Sequence, residues 1–308
     1  MKKLVRKITF FVLPILIVLG SIEVFYRVVP NNYIVKNRNV VKNYETAEVL
    51  ILGNSHTFYG LNPAYFDKPT FNLSNISQTL YFDKLLFDKH IDKFKKLKYV
   101  ILNVEYFSLG VLNNSSESDW RKYYYEMYMD LDVPIIEKTD INRYLLSSPR
   151  GFNANVKLIQ RYFTDGTIID CNDSGFGINY TKEKIKIKDI YENALVRVKG
   201  HENKNINFTE NTMILQKMIN KCNSLGIKVI IVTMPVSKPY AKDVNQKKLA
   251  KIVKTCLLLE NKNANVHYIN LFNDSRFTNE DFYDADHLHT DGARKCSKIV
   301  NDYLNKFK

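Results

Sequence analysis

The sequence predicts an α/β protein: a three-layer sandwich around a central parallel sheet of about five strands, preceded by one transmembrane helix. Three observations carry that prediction. Short runs rich in Val, Ile and Leu alternate with amphipathic helical stretches, the rhythm of a sheet buried on both faces. The stretches between runs are long enough for the crossovers that parallel neighbours require. An apolar run near the N-terminus sits behind a basic flank. The 308 residues are enough for a sizeable core, and 45% hydrophobic with 25% charged residues argues against disorder.

The elements follow in order. Met1 to Lys7 is basic, and Ile8 to Ile22 is an uncharged run of 15 residues. Such a run makes a helix roughly 22 Å long, short of the roughly 30 Å hydrocarbon core. Counted on to Val29, past Glu23 and Arg27, the helix reaches roughly 33 Å. No small-x-small cleavage site follows, so residues 1–29 read as an uncleaved signal anchor. Residues 30–47 are polar and read as a linker, and 48–308 as the α/β domain. Strands are expected near 48–53, 69–73, 99–104, 227–235 and 266–271. Helices are expected over 78–94, over 213–225 before Gly226, and over 248–260. A last helix runs from Thr290, as its cap, to Leu304. Residues at about 108–208 lack this rhythm and read as an insertion. It contains the Trp120–Tyr128 aromatic cluster, which packing explains better than sugar stacking, and a basic alternation over Lys182–Lys188 that suggests an edge strand.

The formal net charge of +13 is spread thinly. A solvated basic surface explains it, with anionic lipid or polymer as the sharper alternative. No nucleic-acid module accompanies it. Cys171, Cys222, Cys256 and Cys296 have no metal spacing and read as buried thiols.

The chemistry is concentrated in two short stretches. Gly53-Asn54-Ser55-His56-Thr57 follows the apolar run Val49–Leu52, so Ser55 stands at a strand end, where open α/β sheets bind ligands. Far along the chain, Asp284 and His287 stand three residues apart just before the last helix. A hydroxyl, an imidazole and a carboxylate are the parts of an activated serine nucleophile. Asp286 with His289 is an alternative pair at the same spacing. A metal held by Asp284, Asp286, His287 and His289 is disfavoured, because such close neighbours converge poorly on one ion.

These blocks resemble those of the SGNH (GDSL-like) hydrolase superfamily. Gly53-Asn54-Ser55-His56 is similar to the first block, Gly-Asp-Ser. Asp284-Ala285-Asp286-His287, with the run to Gly292, is similar to the last. The resemblance implies a flavodoxin-like three-layer fold. It implies Ser55 as nucleophile, His287 as base and acid, Asp284 as the group orienting His287, and no cofactor or metal. The anchor and the Leu-Gly-x-Ser-His opening resemble cell-envelope members that handle acyl groups on polysaccharides. An acylated, chiefly acetylated, envelope or extracellular polysaccharide is the implied substrate, with esterase or O-acyltransferase activity. A membrane-bound O-acyltransferase is the implied partner. Basic residues stay inside, so the N-terminus is expected in the cytoplasm and the catalytic domain in the periplasm or another extracytoplasmic space. The oxyanion blocks depart from the pattern. Ser74 and Ser77 replace glycines in Asn72–Gln78, and no Asn stands at the third block's usual place. The main chain of Ser55 and Ser77, with the side chain of Asn75, are the expected oxyanion donors. His56, Asn54 and Asn103 are the expected substrate contacts. A non-catalytic protein binding an anionic polymer or an assembly partner is the rival reading.

Overall fold

A computed structural model describes residues 1–112, 119–202 and 205–307. The parts of the expected insertion at 113–118 and 203–204 lie outside the described residues. The chain divides into two units. One comprises Met1–Val35 with the described residues of Ser118–Ile169; the other comprises the remaining described residues from Lys36 onward.

The first unit is helical. Helix α1 (Lys2–Val28) begins it, and α2 (Asn32–Lys42) follows, its first residues falling in this unit. Residues 30–47, expected as a linker, are thus mostly helical. Their polar residues sit among buried Tyr33, Val35, Lys36 and Val40, which the low overall hydropathy of the stretch conceals. Helices α5 (Arg121–Met129) and α6 (Phe152–Asp165) complete the unit. Tyr123, Tyr124 and Tyr125 are buried, and Tyr33 meets the rings of Tyr124, Tyr125 and Tyr128. Two guanidinium groups, of Arg121 and Arg150, lie over Trp120. The aromatic cluster is therefore consumed in packing.

The second unit carries the sheet. Its strands are β1 (Val49–Leu52), β2 (Thr70–Asn72), β3 (Tyr99–Asn103), β4 (Lys228–Thr233) and β5 (Val266–Asn270). All neighbours are parallel, in the order β2-β1-β3-β4-β5. Strands β1 and β3 are buried throughout, which is why they read as continuous apolar runs. Alternate side chains face opposite layers. Val49, Ile51, Ile101, Ile230 and Val232 share a core with Ala293, Cys296 and Val300. Those last three lie on α11 (Thr290–Leu304), which packs against α3 (Ser55–Gly60). Helix α4 (Leu80–His90) packs on α8 (Thr209–Ser224), and α8 on β4. Helices α7 (Ile190–His201), α9 (Lys238–Asp243) and α10 (Gln246–Lys262) complete the unit. The expected parallel five-stranded α/β sandwich is the observed one.

Two expectations fail locally. Lys182–Lys188 forms no strand; Lys182–Lys184 is a 3-10 turn. The alternation survives only as half-buried Ile185 and Ile187 between exposed lysines, without a ladder. The cap of α11 is His289, not Thr290: its ring Nδ1 accepts from the N–H groups of Asp291 and Gly292. All four cysteines are free and buried, and burial pushes the thiols of Cys222 and Cys256 up to about 12.

Candidate active site

Strand order fixes where a site can form. From β1 the chain goes to one side for β2 and to the other for β3, so the crevice opens at their C-terminal ends. Gly53 lies there with φ +139°, and a Cβ on it would meet Asn103 Cβ at 2.4 Å. Only glycine lets β1 turn off so close to β3. Asn54 then caps α3, accepting from His56 N–H at 2.9 Å. Ser55, half-buried, is the first residue of that helix. Asn72 anchors the other end, donating to the carbonyls of Thr57 and Leu61.

The distal block is a tight turn. Tyr283 N–H donates to His287 C=O, and Phe282 bridges Leu288. A Cβ on Gly292 would stand 2.1 Å from Asp281 O, so the glycine lets α11 start against that turn. Asp284 accepts from the backbone N–H groups of Asp286 and His287 at 3.1 and 2.8 Å. Its two oxygens lie 3.0 Å from His287 Nδ1. A carboxylate only accepts, so Nδ1 carries the proton and Nε2 is left to accept. Nε2 lies 2.8 Å from Ser55 Oγ. The structure thus brings Ser55, His287 and Asp284 into one hydrogen-bonded chain. A hydroxyl so placed can give its proton to the ring as it attacks an electrophile. Tyr59, Tyr180 and Tyr283 stack at 3.7 and 3.8 Å, and the first two meet His287 edge-on.

Asp286 and His289 do not pair. His289 Nε2 donates to Glu280 C=O at 2.6 Å, and its other nitrogen caps α11. Asp286 instead belongs to a buried row of alternating charge. Glu105 Oε2 is 3.4 Å from His56 Nδ1, and His56 Nε2 is 3.1 Å from Asp286 Oδ2. Arg197 then grips both Asp286 oxygens at 2.6 and 2.8 Å. Burial works against charge on His56, but Glu105 and the hydrogen bond to Asp286 outweigh it and raise its pKa to about 10. Burial likewise opposes ionisation of Asp286, yet His287, His56 and Arg197 hold it well below the usual carboxylate range. His201 bonds the hydroxyl of Tyr240, and burial, with the nearby Arg197, lowers it to about 3.

A cavity of about 510 Å³ opens beside Ser55, bounded by Asn54, Ser77, Asn103, Phe107, Leu112 and Arg197 among others. Of the expected oxyanion donors, Ser55 and Ser77 line it. Ser77 has φ +55°, a conformation that glycine adopts freely. Asn75 does not line it: it is buried, and its backbone N–H donates to Gly53 C=O. Of the expected substrate contacts, Asn54 and Asn103 line the cavity, although Asn103 Nδ2 donates to Glu105 at 2.6 Å. His56 is 3% exposed and does not itself line the cavity; it is held between Glu105 and Asp286. Arg197 and His201 were missed because helix α7 carries no motif, and Glu105 and Tyr180 because nothing beside them in sequence marks a site. The only hint was a basic pair four residues apart, Arg197 and His201, which surface helices also show. Asp83 lies under the turn, accepting from Gln78 Nε2 and Gly53 N–H. Burial raises its carboxyl to about 7.

Ligand-type atoms of His56, Asp286 and His287 lie within 4.8 Å of one another. They do not fit a metal. Arg197 already occupies both Asp286 oxygens, and His287 uses both nitrogens on Asp284 and Ser55. A cation there would displace a guanidinium and face a charged imidazole.

No protein-family model matches the chain, and neither does any curated protein. Solved structures similar to it include a proposed platelet activating factor from Streptococcus pneumonia, 13% identical, with a TM-score of 0.44 over 88% of this chain and 91% of that one. Another is a proposed acylhydrolase from Bacteroides fragilis, 11% identical, with a TM-score of 0.43 over 86% of this chain and 88% of the other.

Proposed function

We propose that the chain is an SGNH-type serine esterase or O-acyltransferase, anchored in a membrane by α1 and acting on acyl esters of an envelope or extracellular polysaccharide. The observation that carries the reading is the hydrogen-bonded series Ser55 Oγ–His287 Nε2, His287 Nδ1–Asp284, beside a cavity. In this reading Ser55 attacks the ester carbonyl and His287 takes its proton. The backbone N–H groups of Ser55 and Ser77 receive the developing oxyanion, and His287 returns the proton to the leaving alcohol. Water or a sugar hydroxyl then takes the acyl group, acetyl being the simplest. Which acceptor is used decides between hydrolase and transferase; a membrane-bound O-acyltransferase is the partner in the second case.

Helix α1 supports the anchor by length and composition: it is long and apolar enough to cross a membrane. In this reading the basic residues before it stay in the cytoplasm with the N-terminus, and the enzyme domain lies outside, in the periplasm or its equivalent. The rival reading, a non-catalytic polymer-binding protein, draws on the altered oxyanion segments. Labelling by a fluorophosphonate probe and acetate release from an acetylated glycan test the choice. Both are expected from the full chain and lost in Ser55→Ala. Labelling and release unchanged in Ser55→Ala, or absent from both proteins, would defeat the esterase reading.

A further inference from the structure

The first unit binds the foot of α1 and leaves a second apolar surface bare. Tyr26 Oη donates to Asn155 at 2.7 Å, and the ring of Phe25 meets Tyr162 edge-on at 5.4 Å. Asn155 and Tyr162 are separated by about 10 Å along α6, whereas Phe25 and Tyr26 are about 1.5 Å apart along α1. Helix α6 therefore crosses α1 rather than running beside it. Glu23, within the same foot, accepts from the N–H groups of Leu146 and Ser147 at 3.2 and 3.1 Å.

On α6, Phe152, Val156, Ile159 and Phe163 share one face, at i, i+4, i+7 and i+11. Phe152 is 59% and Phe163 79% exposed, Val156 and Ile159 between them are half-buried, and Tyr144, eight residues before the helix, is 64% exposed. Lys157 and Arg161 lie on the opposite arc. An apolar face, exposed at both ends through Phe152 and Phe163 and backed by basic residues, is the pattern of a helix lying in a bilayer interface. The length of α1 points the same way. Counted from Ile8 to Val29 the span reaches roughly 33 Å, just beyond the roughly 30 Å hydrocarbon core, so its last residues stand at the membrane surface. Phe25 and Tyr26, the residues α6 touches, therefore stand within the depth of about 5–10 Å at which an interfacial helix lies.

We propose that α6 and the turn before it form a collar around α1 that rests in the surface of the lipid bilayer, with Phe152 and Phe163 among the acyl chains. The proposal rests on the reading of α1 as a membrane anchor. It makes the first unit a monotopic lipid contact in addition to the spanning helix, and it commits to lipid as the occupant of the stripe.

The test uses the full chain in phosphatidylcholine–phosphatidylglycerol vesicles. Single cysteines replace Val12, Phe152, Phe163 or, as a control on α10, the exposed Lys254, and each is labelled with an environment-sensitive fluorophore. The four native thiols are buried, and the unsubstituted chain corrects for any residual labelling. Lipids carrying spin-label quenchers report contact. Most of the fluorescence at Phe152→Cys and Phe163→Cys should be lost, approaching Val12→Cys, with Lys254→Cys unaffected at any protein-to-lipid ratio. Quenching at Val12→Cys with none at the two α6 positions overturns the collar and leaves the anchor. No quenching at Val12→Cys overturns the anchor, and the collar with it. A blue shift at the α6 positions without lipid quenching, growing with protein density, gives the stripe to a second copy and also overturns the proposal.

Discussion

Asp284 and Asp286 stand on the same loop, yet their surroundings assign them different work. Asp284 retains some exposure, is fixed by two backbone N–H groups, and faces His287 Nδ1 at 3.0 Å. Asp286 is fully buried, is gripped by Arg197 and His56, and lies 3.7 Å from the same nitrogen. The first is placed to orient a ring. The second is placed to balance charge beneath it. Residue type and spacing do not separate them; the partners do.

The sharpest way to break this comparison is a pair of substitutions. Asp284→Asn should reduce kcat of ester hydrolysis by about 10⁴, because the amide favours the wrong His287 tautomer. Its urea midpoint should stay near that of the parent chain. Asp286→Asn should act mainly on the fold, costing about 3–5 kcal/mol of unfolding free energy by leaving the charges of Arg197 and His56 poorly matched. Reversed outcomes would show that Asp286 is the orienting group.

Asp83 sharpens the contrast from another side, being a buried carboxyl without a cation. Its folded pKa, about 7, lies above the ordinary value of 3.8. Its contribution is therefore complete below about pH 4 and is lost as pH rises towards 7. Relative to Asp83→Asn, the parent chain should lose stability across that window, on the order of a few kcal/mol in all. Chemical denaturation at several pH values measures it, and a constant difference between the two proteins would contradict it. His289→Ala should cost about 1 kcal/mol through the lost cap of α11, with most activity kept. Loss of activity without loss of stability would return His289 to the chemistry. The smallest effect is expected at Ser77→Gly. Relief of its left-handed backbone, partly offset by glycine's larger entropy loss on folding, should raise stability by about 0.5 kcal/mol, while the N–H, and hence turnover, stays.

What the sequence revealed follows from how local each signal is. Continuous apolar runs located β1, β3 and most of β4, because burial leaves few polar positions there, whereas β2 and β5 keep Thr70, Asn72, His267 and Asn270 and were placed by the alternation with helices. Ser55 with Asp284 and His287 was legible because a strand end and a helix start each bring their own punctuation, Gly53 and Gly292. Arg197 was hidden because its role comes from a contact across 89 residues with Asp286. The partners of His56 were hidden because no neighbour in sequence reveals Glu105. The helix in 30–47 escaped because Lys36 is buried with its ammonium on the carbonyls of Asn72 and Gly175, a placement that polarity counts against. The lysine alternation over 182–188 misled because a pleat needs a partner, and periodicity does not supply one.

The four reduced cysteines bear on how this chain matures. In the native state each thiol is shut away from oxidants. Under the proposed placement outside the cytoplasm, the chain arrives there open, with all four exposed among enzymes that make disulfides. Two bridges among four cysteines can form in three ways, and free native thiols mean that every one of them is a dead end. Yield would then depend on a race between burying Cys222, Cys256 and Cys296 in the α/β frame and oxidising them, which favours rapid collapse of the helices that carry them.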